Sequence, residues 1–282
     1  MLPVDILQNM RVPGLTIAFI ILNIVIAVLL PIALFVWLKV KYKARFIPAL
    51  LGAGMLFAFG ILQLLFLRLF QLGMLISVWP TPVFNIILYI VIMCLCAGLF
   101  TETGRFIAFT WILKRDIGEI KTPLAYGAGY GIMGIAIVMS ALGRLSYATL
   151  INNGQIVNRS LSDDFIVELI DFAQTNSFDL LLIGVRFILI FTLYICLSVL
   201  VWLAVMRKQY LLYPAAILLH ALTFVPAILF DLRVLENAWF VMGLTALCVL
   251  ITAALIWYIY AKIPNRAPVL LEPEFEREPP SP

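Results

Sequence analysis

Charged side chains are scarce in this sequence, and their scarcity excludes a soluble globular domain as its main part. Only 12% of the 282 residues are charged, whereas 64% are hydrophobic; soluble domains carry about twice that charged fraction. The short alternating segments of a transmembrane β-barrel are also lacking. Several apolar runs exceed the roughly 20 residues that cross a bilayer as a helix. The composition therefore predicts an all-α, polytopic membrane helical bundle.

Metal-ligating residues are scarce as well. The sequence has one histidine, His220, and four cysteines, all in apolar segments. Cys94 and Cys96 are two residues apart, so on a helix they point in different directions. A structural zinc site uses about four ligands, which these residues do not readily supply. We therefore expect no metal, no cofactor and, because the basic residues lie in short loops, no nucleic-acid partner.

The apolar runs predict about seven membrane-spanning helices. The third run would measure about 46 Å as one helix, against a hydrocarbon core of about 30 Å. It must therefore tilt, bend or lay one end along the membrane surface. The predicted spans are residues 14–38, 46–70, 83–113, 121–142, 180–206, 210–230 and 237–261. Residues 262–282, rich in Pro and Glu, form a predicted disordered cytoplasmic tail.

Lysine and arginine indicate the orientation of the bundle. With the amino terminus outside, twelve basic residues fall on the inner side and six on the outer side. This bias favours an outer amino terminus and an inner carboxyl terminus. The longest outer loop, residues 143–179, contains a predicted interfacial helix, capped by Ser162 and with Asp163 and Asp164 in its first turn.

An acid and a base interrupt the third apolar run. Glu102 and Arg105 are the only charged residues between positions 83 and 113, and a spacing of three places them on one face of a helix. A charge at the bilayer centre costs about 2.5–3.5 kcal/mol on insertion scales. A functional pair is one interpretation, and an ion pair that snorkels from a helix end to the headgroups is the other.

Polar residues on four predicted spans lie at a similar depth. Counted along each helix from its cytoplasmic end, Glu102, Tyr130, Tyr194 and His220 lie about 14–20 Å deep. A glutamate and a histidine at one level can activate water, the first as base and the second as a donor to the developing oxyanion. The alternative for His220 is a packed core histidine.

A glycine-rich stretch, GYGIMG at residues 129–134, matches the GxGxxG pattern of dinucleotide sites. No strand precedes it and it lies in a predicted span, so a dinucleotide site is rejected. Gly127 and Gly131 form a small-xxx-small face that allows close helix approach.

Four short motifs, in order between residues 46 and 230, carry a resemblance to a known family. They read FTETGR (100–105), GYGIMG (129–134), GVR (184–186) and HAL (220–222). The chain resembles the YhfC-type intramembrane peptidases of bacteria. These belong to the wider group of glutamic membrane proteases, with the CAAX-processing Rce-type, PrsW-type and Aph-type proteins. The corresponding family patterns are FEExGR, GHGxxE, GxER followed by a histidine, and HAL.

The resemblance implies a membrane-protease fold in a bacterial plasma membrane, with altered site residues. In the wider group the first glutamate and two histidines handle the water. Here Thr101 stands at that glutamate, Tyr130 at a histidine and Gly134 at the glutamate of the second motif. Tyr194 lies near another histidine position. Glu102 and His220 are therefore the candidate catalytic residues of an active member.

Three functions remain open at this point. The first is a degenerate protease that binds membrane segments of partners or acts as a scaffold, with Arg105, Tyr130, Arg186 and Tyr194 as supporting residues. The second is an active intramembrane peptidase that uses Glu102 and His220. The third, a small-molecule carrier, is suggested only by the number of spans, because no inverted repeat is visible. The expected partners are membrane lipid and membrane-protein substrates or partners.

Overall fold

A computed structural model describes residues 10–76, 82–154 and 162–262, and every regular element among them is helical. Seven helical segments of this part are long and apolar enough to cross a membrane. The predicted tail and the Trp79-Pro80 stretch lie outside the described residues. The α-helices are α1 (Gly14–Tyr42), α2 (Phe46–Ile76), α3 (Pro82–Ile107), α4 (Lys121–Gly129), α5 (Gly134–Asn152), α6 (Asp163–Gln174), α7 (Ser177–Met206), α8 (Leu212–Asp231) and α9 (Ala238–Lys262).

Helix α7 lies at the centre of the bundle. It contacts α1, α4, α8 and α9, while α3 packs mainly on α8 and α2 packs on α4. Leu193, Leu197, Leu200 and Leu203 of α7 are fully buried, whereas outer helices leave large apolar side chains exposed, such as Leu64 on α2. In a membrane protein this pattern places the outer apolar surface against lipid, where every backbone group must be bonded within its own helix.

The third apolar run bends rather than forming one straight helix. Helix α3 ends at Ile107 and continues as a π-helical turn, Ala108–Ile112, followed by a 3₁₀ turn, Lys114–Asp116. Trp202 of α7 donates from its indole nitrogen to the carbonyl oxygen of Ile117, at 2.6 Å. The segment that follows the run therefore contacts the central helix.

The fourth helical segment is longer than expected, and it changes conformation midway. A 3₁₀ turn, Tyr130–Met133, separates α4 from α5, and α5 runs to Asn152 rather than ending at residue 142. The predicted outer loop therefore begins ten residues too early. The extension is stabilised by contacts with the start of α1, where the backbone N–H of Val12 donates to Asn152 Oδ1 at 2.8 Å.

The short helix predicted in this loop is confirmed. Ser162 accepts a hydrogen bond from the backbone N–H of Phe165 at 3.4 Å, and α6 begins at Asp163. Leu169, on the inner face of α6, is fully buried. Tyr147 of α5 packs edge-on against Phe165 and donates to Glu168 at 2.9 Å, so α6 lies against the end of α5.

Candidate functional site

Three charged or titratable side chains meet inside the bundle. Arg105 Nη1 donates to Glu102 Oε1 from one turn further along α3. His220 Nδ1, on α8, lies 2.6 Å from the same oxygen. Because a carboxylate paired with a guanidinium only accepts, Nδ1 is the donor and carries the hydrogen. All three side chains have 0% exposed surface, so one carboxylate oxygen accepts from two donors in a fully buried site.

Aromatic rings enclose the guanidinium. Arg105 Cζ lies 4.4 Å from the ring centre of Tyr130 and 5.1 Å from that of Tyr194. These distances are within the range of cation–π attraction. Tyr194 in turn packs edge-on against His220, with ring centres 5.4 Å apart. Tyrosine faces therefore replace water around the buried cation.

A serine accepts a second hydrogen bond from the arginine. Arg105 Nε donates to Ser198 Oγ at 3.2 Å, and that hydroxyl donates to the carbonyl oxygen of Tyr194 at 2.7 Å. Ser198 is fully buried on α7. It lies four residues after Tyr194, so one turn of α7 supplies both the ring and the hydroxyl.

The helices that carry the cluster approach one another closely at two glycines. A Cβ atom built at Gly98 would lie 2.5 Å from the carbonyl oxygen of Ile217, and one at Gly127 would lie 2.8 Å from the Cα of Ile195. Glycine is required at both places because a side chain would push α3 from α8 and α4 from α7. The predicted role of Gly127 in helix approach is confirmed.

Irregular helical turns adjoin the cluster on two elements. The π-helical turn begins three residues after Arg105, and the 3₁₀ turn begins at Tyr130. Both kinds of turn redirect side chains relative to a regular α-helix, and π-turns are frequent at functional sites. Sequence reasoning missed both turns. No proline or glycine lies in the π-helical turn, whereas the glycines of residues 129–134 mark the 3₁₀ turn and were interpreted only as a helix-packing face.

All four residues grouped from depth are brought together. Glu102, Tyr130, Tyr194 and His220 lie in one cluster, as the helix rise predicts, and Arg105 joins them. Arg186, which was predicted as a supporting residue, does not join them. It is exposed on α7, two turns before Tyr194, and lines a separate cavity.

Two further neighbours were not predicted from the sequence. Ser198 bonds the arginine, and Phe224 packs against His220 with ring centres 5.2 Å apart. A signal for Phe224 existed, because it follows His220 by four residues on one face of α8. Ser198 stands at the same spacing from Tyr194, but nothing in the sequence distinguishes it from other serines.

Four buried polar atoms of the cluster have no hydrogen-bond partner among the described residues. They are Glu102 Oε2, Arg105 Nη2, Tyr130 Oη and His220 Nε2. Buried polar atoms are usually satisfied by protein or by internal water. The cluster thus retains one free acceptor on the carboxylate, one free donor on the guanidinium and one free ring nitrogen.

Comparison with known proteins now gives the family. The model of the YhfC intramembrane metalloprotease family matches residues 26–245. The chain belongs to the YhfC family. It is 31% identical over 258 residues to a Bacillus subtilis protein described as uncharacterized membrane protein YhfC. The aligned region covers 87% of this chain and 96% of the relative. No solved structure matches the chain. The resemblance inferred from the motifs is confirmed, and the chain is an integral membrane protein.

The family description names a metalloprotease, but the residues of this cluster do not fit a metal ion. A catalytic zinc takes three protein ligands, commonly histidines and a carboxylate. The described residues contain no group of three or more His, Cys, Asp or Glu side chains placed to hold a metal ion. The Glu102 oxygen nearest to His220 is bonded to the Arg105 guanidinium, whose positive charge repels a metal cation.

Proposed function

We propose that this chain is a non-hydrolytic member of the YhfC family that binds transmembrane segments of partner proteins as a scaffold. The observation that carries the proposal is the position of Arg105. Its guanidinium, which remains charged at all physiological pH values, is bonded to Glu102. Because Thr101 stands at the first glutamate of the family pattern, Glu102 is the carboxylate that this chain would have to use on water.

The geometry around Glu102 opposes a role as general base. A base needs hydrogen-bond reach to the proton it accepts, directly or through one water. Glu102 Oε1 already accepts from Arg105 and His220, and both residues are fully buried. The aromatic wall of Tyr130 and Tyr194 further separates the cluster from bulk water.

The substitutions support the same proposal. Thr101 and Tyr130 stand where the family pattern has a glutamate and a histidine. Neither a hydroxyl nor a phenol accepts a proton readily near neutral pH. Tyr130 instead stacks on Arg105, so the position has a structural use in this chain.

A lipid-facing groove offers a surface for a partner helix. It has a volume of about 370 Å³ between α1 and the α4–α5 junction and is lined by Ala27, Pro31, Gly131, Gly134 and Val138. Gly131 and Gly134 already pack closely against Pro31 and Ala27 of α1, so a partner helix would pack on the exposed apolar side chains of the groove. Ile135, which lines the same groove, is 59% exposed.

A second candidate function, an active glutamic-type peptidase, is favoured by one observation. Glu102 and His220 are hydrogen-bonded to each other at 2.6 Å, and each keeps an unbonded polar atom, Oε2 and Nε2. A water between those two atoms would meet a carboxylate and an imidazole together. This function requires that water reach the cluster and that Arg105 leave the carboxylate during turnover.

One experiment distinguishes the two candidates. Bacillus subtilis cells without their YhfC relative express the wild-type chain, Glu102→Gln or His220→Asn at equal levels, and the amino termini of membrane proteins are measured by mass spectrometry. We expect the same termini in all three strains. Termini that are present with the wild type and lost with both variants would establish the peptidase and overturn the scaffold proposal.

The binding half is tested by photo-crosslinking. A photoreactive residue replaces Ile135 in the groove, and the matched control replaces Leu250 on α9, which is 66% exposed and does not line the groove. We expect discrete protein–protein products from position 135 and only lipid products from position 250. Lipid products alone from both positions would contradict a partner site in the groove.

A further inference from the structure

A second polar region lies away from the buried cluster, between α7, α8 and α9. It is a cavity of about 610 Å³. The start of α7, the end of α8 and the start of α9 surround it. These three helix ends lie on the same side of the bundle, because α7 and α9 run in one direction and α8 in the other.

Two arginines and two carboxylates line this cavity. Arg186 stands on α7, Asp179 stands near the start of the same helix, and Arg233 and Glu236 lie in the turn between α8 and α9. All four are exposed. Among the described residues, none has an ion-pair partner within 4.0 Å or a side-chain hydrogen bond.

Arg186 is the unusual member of this set. It stands in a helix that crosses the membrane, nine residues after the first residue of α7. Charged residues in such helices normally pair with each other or mark a binding site or pathway. Among the described residues, Arg186 has no ion-pair partner, and it lines a cavity, so a negatively charged ligand is the partner that its position suits.

The inner wall of the cavity is apolar. Leu182, Ala227 and Val241 are buried at its base, with 6%, 9% and 2% of their surfaces exposed. Trp239, which is half exposed, flanks the opening, and tryptophan is enriched where the hydrocarbon core meets the headgroups. One ligand must therefore satisfy both charged and apolar surfaces.

The cavity lies at the membrane boundary. Helix α8 has 20 residues and is about 30 Å long, which matches the hydrocarbon core. Arg233 and Glu236 follow its last residue and so lie at headgroup level. Helix α7, with 30 residues, is about 45 Å long and extends past the core, which brings Arg186 towards the same level.

We propose that this cavity binds a zwitterionic phospholipid with a primary ammonium headgroup, of the phosphatidylethanolamine class. Arg186 and Arg233 bond the phosphate, Asp179 and Glu236 bond the ammonium group, and an acyl chain packs on Leu182 and Val241. Charge-assisted hydrogen bonds of this kind are about twice as strong as neutral ones.

The charge balance selects among lipids. A purely anionic headgroup would bond the arginines but leave both carboxylates facing negative charge. A choline headgroup has no N–H to donate to Asp179 or Glu236. A free phosphate ion would lack the acyl chain that covers the apolar wall. The ethanolamine lipid satisfies all three parts of the cavity.

The test measures lipid retention by native mass spectrometry. The full chain is purified from nanodiscs with equal mole fractions of phosphatidylethanolamine, phosphatidylcholine and phosphatidylglycerol, and bound lipids are counted. Wild type is compared with Arg186→Gln/Arg233→Gln, with Asp179→Asn/Glu236→Gln and with Arg68→Gln. Arg68 is an exposed arginine of α2 outside the cavity, so its variant is the matched control.

We expect the wild type and Arg68→Gln to retain phosphatidylethanolamine about tenfold over the other two lipids, equivalent to about 1.4 kcal/mol. The double arginine variant loses this retention, and the carboxylate variant loses the preference over phosphatidylcholine.

Equal retention of all three lipids by the wild type would overturn the headgroup assignment. Unchanged retention in the double arginine variant would overturn the site, and displacement by millimolar inorganic phosphate alone would replace the lipid with a phosphate ion. Circular dichroism of every variant checks that the fold is kept.

Discussion

The buried cluster and the boundary cavity use the same residue types in opposite ways. In the cluster, Glu102 and Arg105 are bonded to each other and have no exposed surface. In the cavity, Arg186 and Glu236 are exposed and unpaired among the described residues. A buried charge without a partner is strongly destabilising, so the interior retains only charges that satisfy one another. Charges at the boundary are solvated and remain available to a ligand.

The largest expected effect comes from breaking the buried pair. Glu102→Leu leaves the Arg105 charge buried without its carboxylate, which costs about 3–5 kcal/mol of folding free energy. The double variant Glu102→Leu/Arg105→Met removes both charges, and we expect it to recover most of that loss. The measurement is the free energy of unfolding in mixed detergent micelles.

Asp116→Asn is the control for this comparison. It breaks the ion pair between Asp116 and Arg45. Their side chains are 29% and 68% exposed, respectively, and exposed pairs contribute about 0–1 kcal/mol to the free energy of unfolding. If Glu102→Leu is no more destabilising than Asp116→Asn, the buried Arg105 charge does not depend on the Glu102 carboxylate for its stability.

A smaller effect is expected from loosening the packing that closes the cluster. At Gly127 a Cβ atom would lie 2.8 Å from the Cα of Ile195 and 3.3 Å from Ser198 Oγ. Gly127→Ala therefore separates α4 from α7, and overpacking of this kind costs about 1–3 kcal/mol. The same unfolding measurement checks it.

Gly143→Ala is its matched control, since a Cβ atom at Gly143 meets nothing within 4 Å. Alanine has the higher helix propensity, so this variant should be neutral or slightly stabilising. Equal stability of the two variants would mean that α4 and α7 are not held as closely as the glycine requires.

The smallest effect on folding is expected in the cavity. Arg186→Gln removes a charge that has no ion-pair partner in the part of the chain that the structure describes, so the free energy of unfolding should change by at most about 0.5 kcal/mol. The same variant, combined with Arg233→Gln, is expected to lose lipid retention. A loss of stability like that of Glu102→Leu would mean that Arg186 has a structural role and would remove the contrast between the two regions.

The features that depend on one segment alone were predictable. Run length and hydropathy predicted seven spans, and seven helical segments of the described chain meet that description. Helix rise placed Glu102 and His220 at one depth, and they are hydrogen-bonded. The spacing of Ser162 and its following acids predicted the capped helix α6. The orientation of the termini stays a prediction.

The features that depend on how helices pack were not predictable. A sequence motif says nothing about the direction of a side chain around its helix axis. Arg186 was predicted to support the site because its motif precedes Tyr194, but it is exposed and lines another cavity. Glycines flank the 3₁₀ turn, but no residue pattern marks the π-helical turn.

The sequence by itself determined that this protein is a YhfC-family helical membrane bundle with a few buried polar residues at one level. The spacing of three placed Glu102 and Arg105 on one helix face, but only the tertiary structure decided that His220 joins this pair and that Arg186 and Arg233 line a separate cavity. The physical reason is that apolar length and helix rise are properties of each segment, whereas pairing of charges depends on the rotation and lateral order of helices. Side-chain packing between segments sets that rotation and order.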